Sequence, residues 1–304
     1  MNKKIIFIII LVILIIAGVL IFLFNRNKNE LNNNLSNDYQ FSSKQNEEKI
    51  ENILGEHTSY STKEIYINNI YGVAYIPNKE GKMPLVIFSH ELGYNHSAGD
   101  DYAEYLASRG IAFYEFDFRN GGSSSKSGND MSKMSVITEV EDLEEVLEEA
   151  RTWDFVDSSK IVLLGASQGG MVTGLTASRN QDKITEEILM YAALLIPDDV
   201  HSRFKSLNEV PNTFTYRGWF TAGKQYVSDV WDIDVNKELS KYTGEVLLLH
   251  GTSDSIVPYS YSESANKAFQ NSELHLIKGA GHGFYGSSFD EAITYIWNYL
   301  SKIL

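Results

Sequence analysis

The pentapeptide Gly165-Ala166-Ser167-Gln168-Gly169 ends the apolar run KIVLLGAS and opens QGGMVTGLTASR, so it is a G-x-S-x-G between a predicted strand and a predicted helix. A serine at such a sharp, strained turn is a nucleophile elbow, and its neighbours are small because the backbone on either side must approach closely. A serine hydroxyl alone is a weak nucleophile. It needs a base within hydrogen-bond reach and a third group that orients the base. With an elbow of this kind the partners follow in the order serine, acid, histidine, each after the C-terminal end of a strand. Downstream, VLLLHGTSDSIVP places Asp254 after one predicted strand, and LHLIKGAGHGF places His282 between two glycines after the last. Separations of 87 and 28 residues leave room for the intervening elements. Ser167, Asp254 and His282 are therefore the candidate nucleophile, orienting acid and base, and the chemistry they suit is acyl transfer. The competing assignments are bland: Asp254 as a helix cap or turn residue, His282 as the occupant of a glycine turn. Asp232 and Asp234 compete as the acid, but they lie in an insertion. His250 is expected to shape the acid loop and His275 to pack within a strand; His57 and His201 carry no readable signal.

The stretch SHELGYNHS, Ser89 to Ser97, raises a second chemistry. A zinc site of the H-E-x-x-H type needs histidines four apart, so that both rings share one helix face. Here the residue four after His90 is Tyr94, and the next histidine, His96, lies six away. On a helix that spacing turns the rings apart, so no metal site is expected.

These residues must be positioned by the elements around them. EIYINNIYGVAYIP alternates and reads as antiparallel strands with a turn at Asn68-Asn69. MPLVIFSH is a short, fully apolar strand of the kind found in a parallel sheet covered on both faces. A helix is expected from about Ala98 to Arg109, a strand at IAFYEFDF, and a helix over SVITEVEDLEEVLEEARTW, with Val136, Val140, Leu143, Val146 and Leu147 on one face. Then come the elbow strand and helix, strands at EEILMYAALLI and GEVLLLHG, a helical SANKAFQ, a strand SELHLIKG and a closing helix FDEAITYIWNYLSKIL. Alternating strands and helices predict an α/β fold with a mostly parallel, doubly wound sheet. Between about 197 and 242 the rhythm breaks into a long aromatic insertion. No internal repeat is visible.

The 304 residues suffice for one large α/β domain with extras, and 43% hydrophobic residues supply its core. No cysteine is present, which excludes disulfides and thiolate chemistry. Ile5 to Phe24 is an unbroken apolar run of 20 residues, about 30 Å long as a helix, the thickness of a bilayer's hydrocarbon core. It ends in FLFNRNKNE without a small-x-small cleavage site or a lipobox cysteine, so residues 1–24 are predicted to be an uncleaved transmembrane anchor rather than a signal peptide. Lys3 and Lys4 favour an inside N-terminus, while Arg26 and Lys28 flank the other end; a short tail before a large domain usually acts as a signal anchor, so the expectation is a single-pass protein of the cell membrane with its body extracytoplasmic. Residues 25–56, rich in Asn, Ser, Lys and Glu, read as a flexible linker, mildly amphipathic over Asn46 to Leu54. From Glu30 onward, 22 basic residues face 40 acidic ones, a balance of −18 that repels nucleic-acid phosphate.

The pieces SHELGYN, DFRNGGSS, LLGASQGGMV, LLIPDD, HGTSDSIVP and LHLIKGAGHGF, spanning residues 65–304, resemble the α/β-hydrolase superfamily, and more narrowly the bacterial cinnamoyl/feruloyl esterase-like serine hydrolases. The resemblance implies an α/β-hydrolase domain over 57–304, with the insertion as a cap. It also implies that the loop after the first core strand supplies an oxyanion donor. Family members usually read His-Gly-hydrophobic there, and the matching donors are the backbone N–H groups of Leu92 and Gln168, with His90 bracing the loop. Glu91 stands where the family has glycine, and a carboxylate at that position must point to solvent or oppose the developing negative charge. The implied activity is hydrolysis of carboxylic esters through an acyl-enzyme on Ser167, with no metal or organic cofactor. Phe214, Trp219, Tyr226 and Trp231, with Tyr216 and Phe220, are candidates to line an acyl or aromatic pocket, or else form the cap's own core. The substrate stays open between a hydroxycinnamoyl ester, a short-chain ester and a lipid presented by the membrane. An aminopeptidase-type serine exopeptidase is the alternative, and a non-catalytic binding protein ranks below both.

Overall fold

Asn68 and Asn69 both take left-handed backbone angles, φ 43° and 71°, and close a two-residue hairpin between β1 (Tyr60–Ile67) and β2 (Ile70–Pro77). Asparagine tolerates this region, and the right-handed twist of a hairpin asks for it. In the computed structural model, which describes residues 57–303, the hairpin forms one edge of an eight-stranded sheet. The other strands are β3 (Met83–Ser89), β4 (Ala112–Phe116), β5 (Val156–Ala166), β6 (Glu186–Met190), β9 (Glu245–Gly251) and β10 (Asn271–Ile277), in the order β1-β2-β4-β3-β5-β6-β9-β10. From β4 to β10 every pairing is parallel; β2 runs against both neighbours. This is the mostly parallel sheet of the α/β-hydrolase fold.

Strands β3, β4 and β6 are buried along their whole length, because helices cover both faces. Alternate residues divide the core. Leu85, Ile87, Tyr114, Phe116, Ile161 and Leu163 belong to one continuous cluster with α2 (Val136–Ala150) and α3 (Gln168–Arg179). Phe88 faces the other way and stacks on Tyr102 of α1 (Asp100–Ala107), which in turn touches Phe289 of α8 (Ser287–Leu300). The predicted apolar face of α2 is fully buried at Val136, Val140, Leu143, Val146 and Leu147, each side chain stabilising the fold by about 1.5–3 kcal/mol relative to exposure. A capping box starts that helix: Ser135 Oγ accepts from Thr138 N–H while Thr138 Oγ1 accepts from Ser135 N–H.

The sequence expectation departs from the structure in two stretches. The run EEILMYAALLI is strand only to Met190. Tyr191 then adopts φ 36°, and the chain leaves the sheet for α4 (Ile196–Arg203), with Pro197 in its first turn. A run buried on all sides carries no periodicity to mark where pairing stops. The insertion is also structured. It holds the hairpin β7 (Thr213–Tyr216) and β8 (Phe220–Gly223), then α5 (Lys224–Ser228) and α6 (Val235–Leu239). Elements of four or five residues are too short to show a period. The last helix before α8 is α7 (Ser260–Ala268).

Among the described residues no helix is long and apolar enough to cross a membrane. The predicted span Ile5 to Phe24, the linker 25–56 and its amphipathic stretch lie outside the described residues.

Candidate active site

Strand β5, inside the sheet, delivers Ser167 just past its C-terminal end, and α3 begins at the next residue. Ser167 holds φ 52° and ψ −118°, a strained pair for a residue with a side chain. The turn survives because its surroundings over-determine it. Ser167 N–H donates to Met190 O (3.0 Å), and Ser167 O accepts from Ala193 N–H (2.7 Å) and Gly170 N–H (3.0 Å). Two glycines make the crossing possible. A Cβ on Gly165 would sit 2.3 Å from Gly169 O, and one on Gly169 would sit 2.2 Å from Ser89 O. These contacts are the physical content of the G-x-S-x-G spacing.

The loops after β9 and β10 bring the other two residues to the serine. His282 Nε2 lies 2.8 Å from Ser167 Oγ, and His282 Nδ1 lies 2.7 Å from Asp254 Oδ2. The Asp254 side chain is fully buried. Burial alone would raise its pKa, but hydrogen bonds from His250, His282 and the Val257 and Ile256 N–H groups outweigh it and hold the carboxyl well below the usual carboxylate range. A carboxylate at that place accepts from Nδ1–H, so the lone pair of His282 sits on Nε2, facing the serine hydroxyl. His250 is fully buried and braces the acid loop, with Nε2 2.9 Å from Val257 O and 3.2 Å from Asp254 Oδ2, and Nδ1 2.7 Å from Ser262 Oγ. Of the competing acids, Asp234 caps α6 by accepting from Lys237 N–H (3.1 Å). His275 stacks on Tyr295 at 4.0 Å between ring centres, and His201 packs against Trp231 at 4.1 Å.

The stretch SHELGYNHS supplies Glu91, Leu92 and Tyr94 to the wall of the cavity at Ser167. His90 is buried and bonded on both nitrogens. Nδ1–H donates to Glu91 O (2.8 Å) and Nε2 accepts from Phe118 N–H (3.2 Å). Burial drives its pKa down to about 4, so it is neutral and acts as a brace. His96 Nδ1 pairs instead with buried Asp117 at 2.6 Å, so the two histidines serve separate hydrogen bonds. Leu92 and Gln168 both line the cavity. No hydrogen bond from the N–H of either to another described residue is formed. The N-terminus of α3 adds its positive end just below Ser167.

Glu91 does not turn to solvent as the sequence reading required. Its Oε1 accepts from the Tyr191 hydroxyl at 2.9 Å and its Oε2 is buried. Burial, only partly offset by its own backbone N–H, by Tyr191 and by His282, pushes the carboxyl above the usual range. The side chain is thus held inward on a hydroxyl donor, in surroundings that disfavour its charged form. The hydroxyl partner, Tyr191, comes from the turn after β6, a place no sequence motif marks. Its ring also meets His282 edge-on at 5.0 Å.

The cavity at Ser167 measures about 380 Å³. Of the residues predicted to line it, Trp219, Tyr226 and Tyr216 do so. Phe214, Trp231 and Phe220 do not. Phe214 packs on Phe204 and Tyr216, Trp231 on His201, and Phe220 on Tyr226, as the cap's own core. Walls the sequence reading missed are Tyr94, Tyr191, Tyr285 and Ile256. Tyr285 stands three residues after His282 and is 73% exposed, and Trp219 is 60% exposed, so the cavity mouth is an aromatic rim.

Residues 100–304 match the prolyl oligopeptidase family. The quorum-quenching protein AidA of Acinetobacter baumannii is 22% identical over 275 residues, covering 76% of this chain and 90% of its own. Among solved structures, Est1E from Butyrivibrio proteoclasticus superimposes with a TM-score of 0.65 at 24% identity, over 80% of this chain and 96% of that one. The monoacylglycerol lipase of Paleococcus ferrophilus gives 0.61 at 20% identity, over 76% of this chain and 98% of that one. At these identities the structural likeness speaks to the fold alone.

Proposed function

As the chain belongs to the prolyl oligopeptidase family, a branch of the α/β-hydrolase serine hydrolases, and resembles feruloyl esterases, we propose that it hydrolyses carboxylic esters by way of an acyl-enzyme on Ser167. The observation that carries this reading is the unbroken line from Ser167 Oγ through His282 to buried Asp254, with hydrogen bonds of 2.8 and 2.7 Å. His282 Nε2 takes the hydroxyl proton as Ser167 attacks the carbonyl carbon. The carbonyl π electrons move to oxygen, where the Leu92 and Gln168 N–H groups receive the charge; one such donor is worth about 3–4 kcal/mol at the transition state. The C–O bond to the alcohol breaks as His282 returns the proton to the leaving oxygen. Water then repeats the sequence on the acyl-enzyme, and Ser167 is released. Asp254 holds Nδ1–H and stabilises the imidazolium that forms at each stage. These steps call for no cofactor.

The aromatic walls and the roughly 380 Å³ volume suit a small ester with an aromatic or short acyl group. The family match favours one second reading, an aminopeptidase-type exopeptidase, because the same acyl chemistry cleaves amides. A fluorophosphonate probe and a panel of p-nitrophenyl esters, methyl ferulate and aminoacyl-nitroanilides test both. The proposal expects labelling that Ser167→Ala abolishes, and turnover of esters above anilides. Preferential anilide turnover replaces esterase by peptidase, and absence of labelling refutes both.

We further propose that residues 1–24 anchor the protein in the cell membrane, that 25–56 are a tether, and that 57–304, with its cap at about 197–242, is the catalytic body on the extracytoplasmic side. Support comes from the 20-residue apolar run Ile5 to Phe24 and the basic residues before it. Protease added to intact cells should remove the body and leave a membrane-bound N-terminal fragment. Full protection of the body until lysis refutes the orientation, and recovery of the whole chain in the soluble fraction refutes the anchor.

A further inference from the structure

The side chain of Gln168 is held at both ends, and the two holders come from different layers of the molecule. Its Oε1 accepts from the Tyr226 hydroxyl at 2.7 Å. Its Nε2 donates to Glu139 Oε2 at 2.8 Å. Tyr226 belongs to the cap helix α5, is fully buried, and forms part of the cavity wall. Glu139 lies one turn into α2, beneath the elbow, and is also fully buried. A second bond ties the same two helices together: Ser135 Oγ, at the cap of α2, donates to Asp229 Oδ2 at the end of α5 (2.6 Å). An acid in the core beneath the nucleophile is expensive unless it is neutral. Burial does raise the Glu139 carboxyl well above its ordinary range, with the Gln168 bond acting in the opposite direction.

Resting on the reading of Ser167 as nucleophile, we propose that Tyr226 and Glu139 are positioning residues that clamp Gln168, so that the cap fixes the direction of the N–H that receives the oxyanion. Gln168 is the first residue of α3, where the backbone has no preceding helical turn to hold it. The side chain clamp supplies that restraint. Tyr226 makes the restraint conditional on the cap, because its ring is packed against Tyr216 and Phe220 of the β7–β8 hairpin at 5.1 and 5.3 Å. The segment that shapes the substrate cavity thus also aims one of its two proposed oxyanion donors. Neither residue touches the reacting atoms.

The test uses the full chain and the variants Tyr226→Phe, Glu139→Leu and Glu139→Gln. Three quantities are read: the rate of Ser167 labelling by a fluorophosphonate, kcat and KM for p-nitrophenyl butyrate per titrated active site, and the thermal midpoint. Tyr226→Phe and Glu139→Leu should slow both labelling and kcat by about 10- to 100-fold with KM within about threefold, the scale expected when a reacting geometry loosens by a fraction of an ångström to one ångström. Glu139→Gln should recover to within about threefold, since its amide oxygen still accepts from Gln168. A merely structural role would lower the midpoint or the fraction of active sites but not kcat per site. The proposal is overturned if folded Tyr226→Phe and Glu139→Leu label at the wild-type rate, or if only KM changes. Should Glu139→Leu not fold, Tyr226→Phe decides alone, because it removes one hydroxyl and keeps the ring. A wild type that labels but turns over no ester refutes the ester reading and leaves the clamp standing; a wild type that takes no label overturns both.

Discussion

Replacing Asp254 by Asn keeps the shape of the side chain and exchanges one acceptor for a donor. In the native loop Oδ1 accepts from the N–H of Ile256 (2.8 Å) and Val257 (2.9 Å), and Oδ2 accepts from His282 Nδ1 (2.7 Å) with His250 Nε2 at 3.2 Å. An amide offers one oxygen for these two places. With the oxygen toward the Ile256 and Val257 N–H groups, the NH₂ faces His282 Nδ1. Nδ1 must then be the lone pair, and the proton moves to Nε2, where it blocks Ser167. The same pose sets the NH₂ against His250 Nε2–H, which keeps Val257 O as its acceptor at 2.9 Å. With the amide turned over, the histidine tautomer is preserved, but the NH₂ meets two backbone donors. The Val257 N–H, in a buried residue, then loses its acceptor at a cost of about 1–3 kcal/mol, and the Ile256 N–H loses its own. The first pose is the less costly, so the variant rests with the wrong tautomer. The expected loss is about 10⁴-fold in kcat, equal to about 5.4 kcal/mol of transition-state stabilisation. The assay is kcat/KM on a p-nitrophenyl ester beside the rate of fluorophosphonate labelling, with circular dichroism to confirm the fold. A folded Asp254→Asn within about tenfold of wild type would refute the assignment of Asp254 as the orienting acid.

Gly169→Ala places a Cβ 2.2 Å from Ser89 O and 2.5 Å from His90 O, both backbone atoms, so it should lower the thermal midpoint and cut ester turnover at least about 100-fold; wild-type values for both would show that the elbow has room to spare. Glu91→Gln retains an acceptor for the Tyr191 hydroxyl, whereas Glu91→Ala leaves that buried group unpaired, so denaturant titration should find the alanine variant about 1–3 kcal/mol less stable than the glutamine variant. Burial and the neighbouring Asp100 carboxyl push Glu115 up to about 10. The folded-state value is raised, so this group's stability is fully present below the unfolded value of about 4.3 and is lost as pH rises through the folded one. Glu115→Gln should therefore gain stability over wild type progressively from about pH 4.3 to pH 10, and parallel denaturation profiles at pH 5, 7 and 9 would contradict that.

How much of this was legible beforehand follows from the range of each signal. The elbow is local: two glycines around a serine, between an apolar strand and a helix, describe one turn and its clashes. The order of Ser167, Asp254 and His282 is readable because a parallel sheet brings the ends of successive strands to one edge, however far apart they lie in the chain. The end of β6 at Met190 was not readable, because a run buried on both faces has no period to break. The cap's hairpin escaped for the opposite reason, being too short to show one, and so Phe214 and Trp231 could not be sorted from Trp219 and Tyr226.

By itself, then, the sequence determined the class of chemistry and the architecture that serves it, because both are written in spacing, periodicity and residue type along one strand or turn. What only the tertiary structure decided are the encounters between distant segments: Glu91 turned inward onto Tyr191 across 100 residues, and Gln168 clamped between Glu139 and Tyr226. A side chain's direction, its protonation and its partner depend on what other strands and helices bring within about 3 Å of it, and no local pattern encodes that. The surroundings of Glu91 and Glu139, more than their identity, raise both carboxyls above the ordinary range and choose the groups they bond.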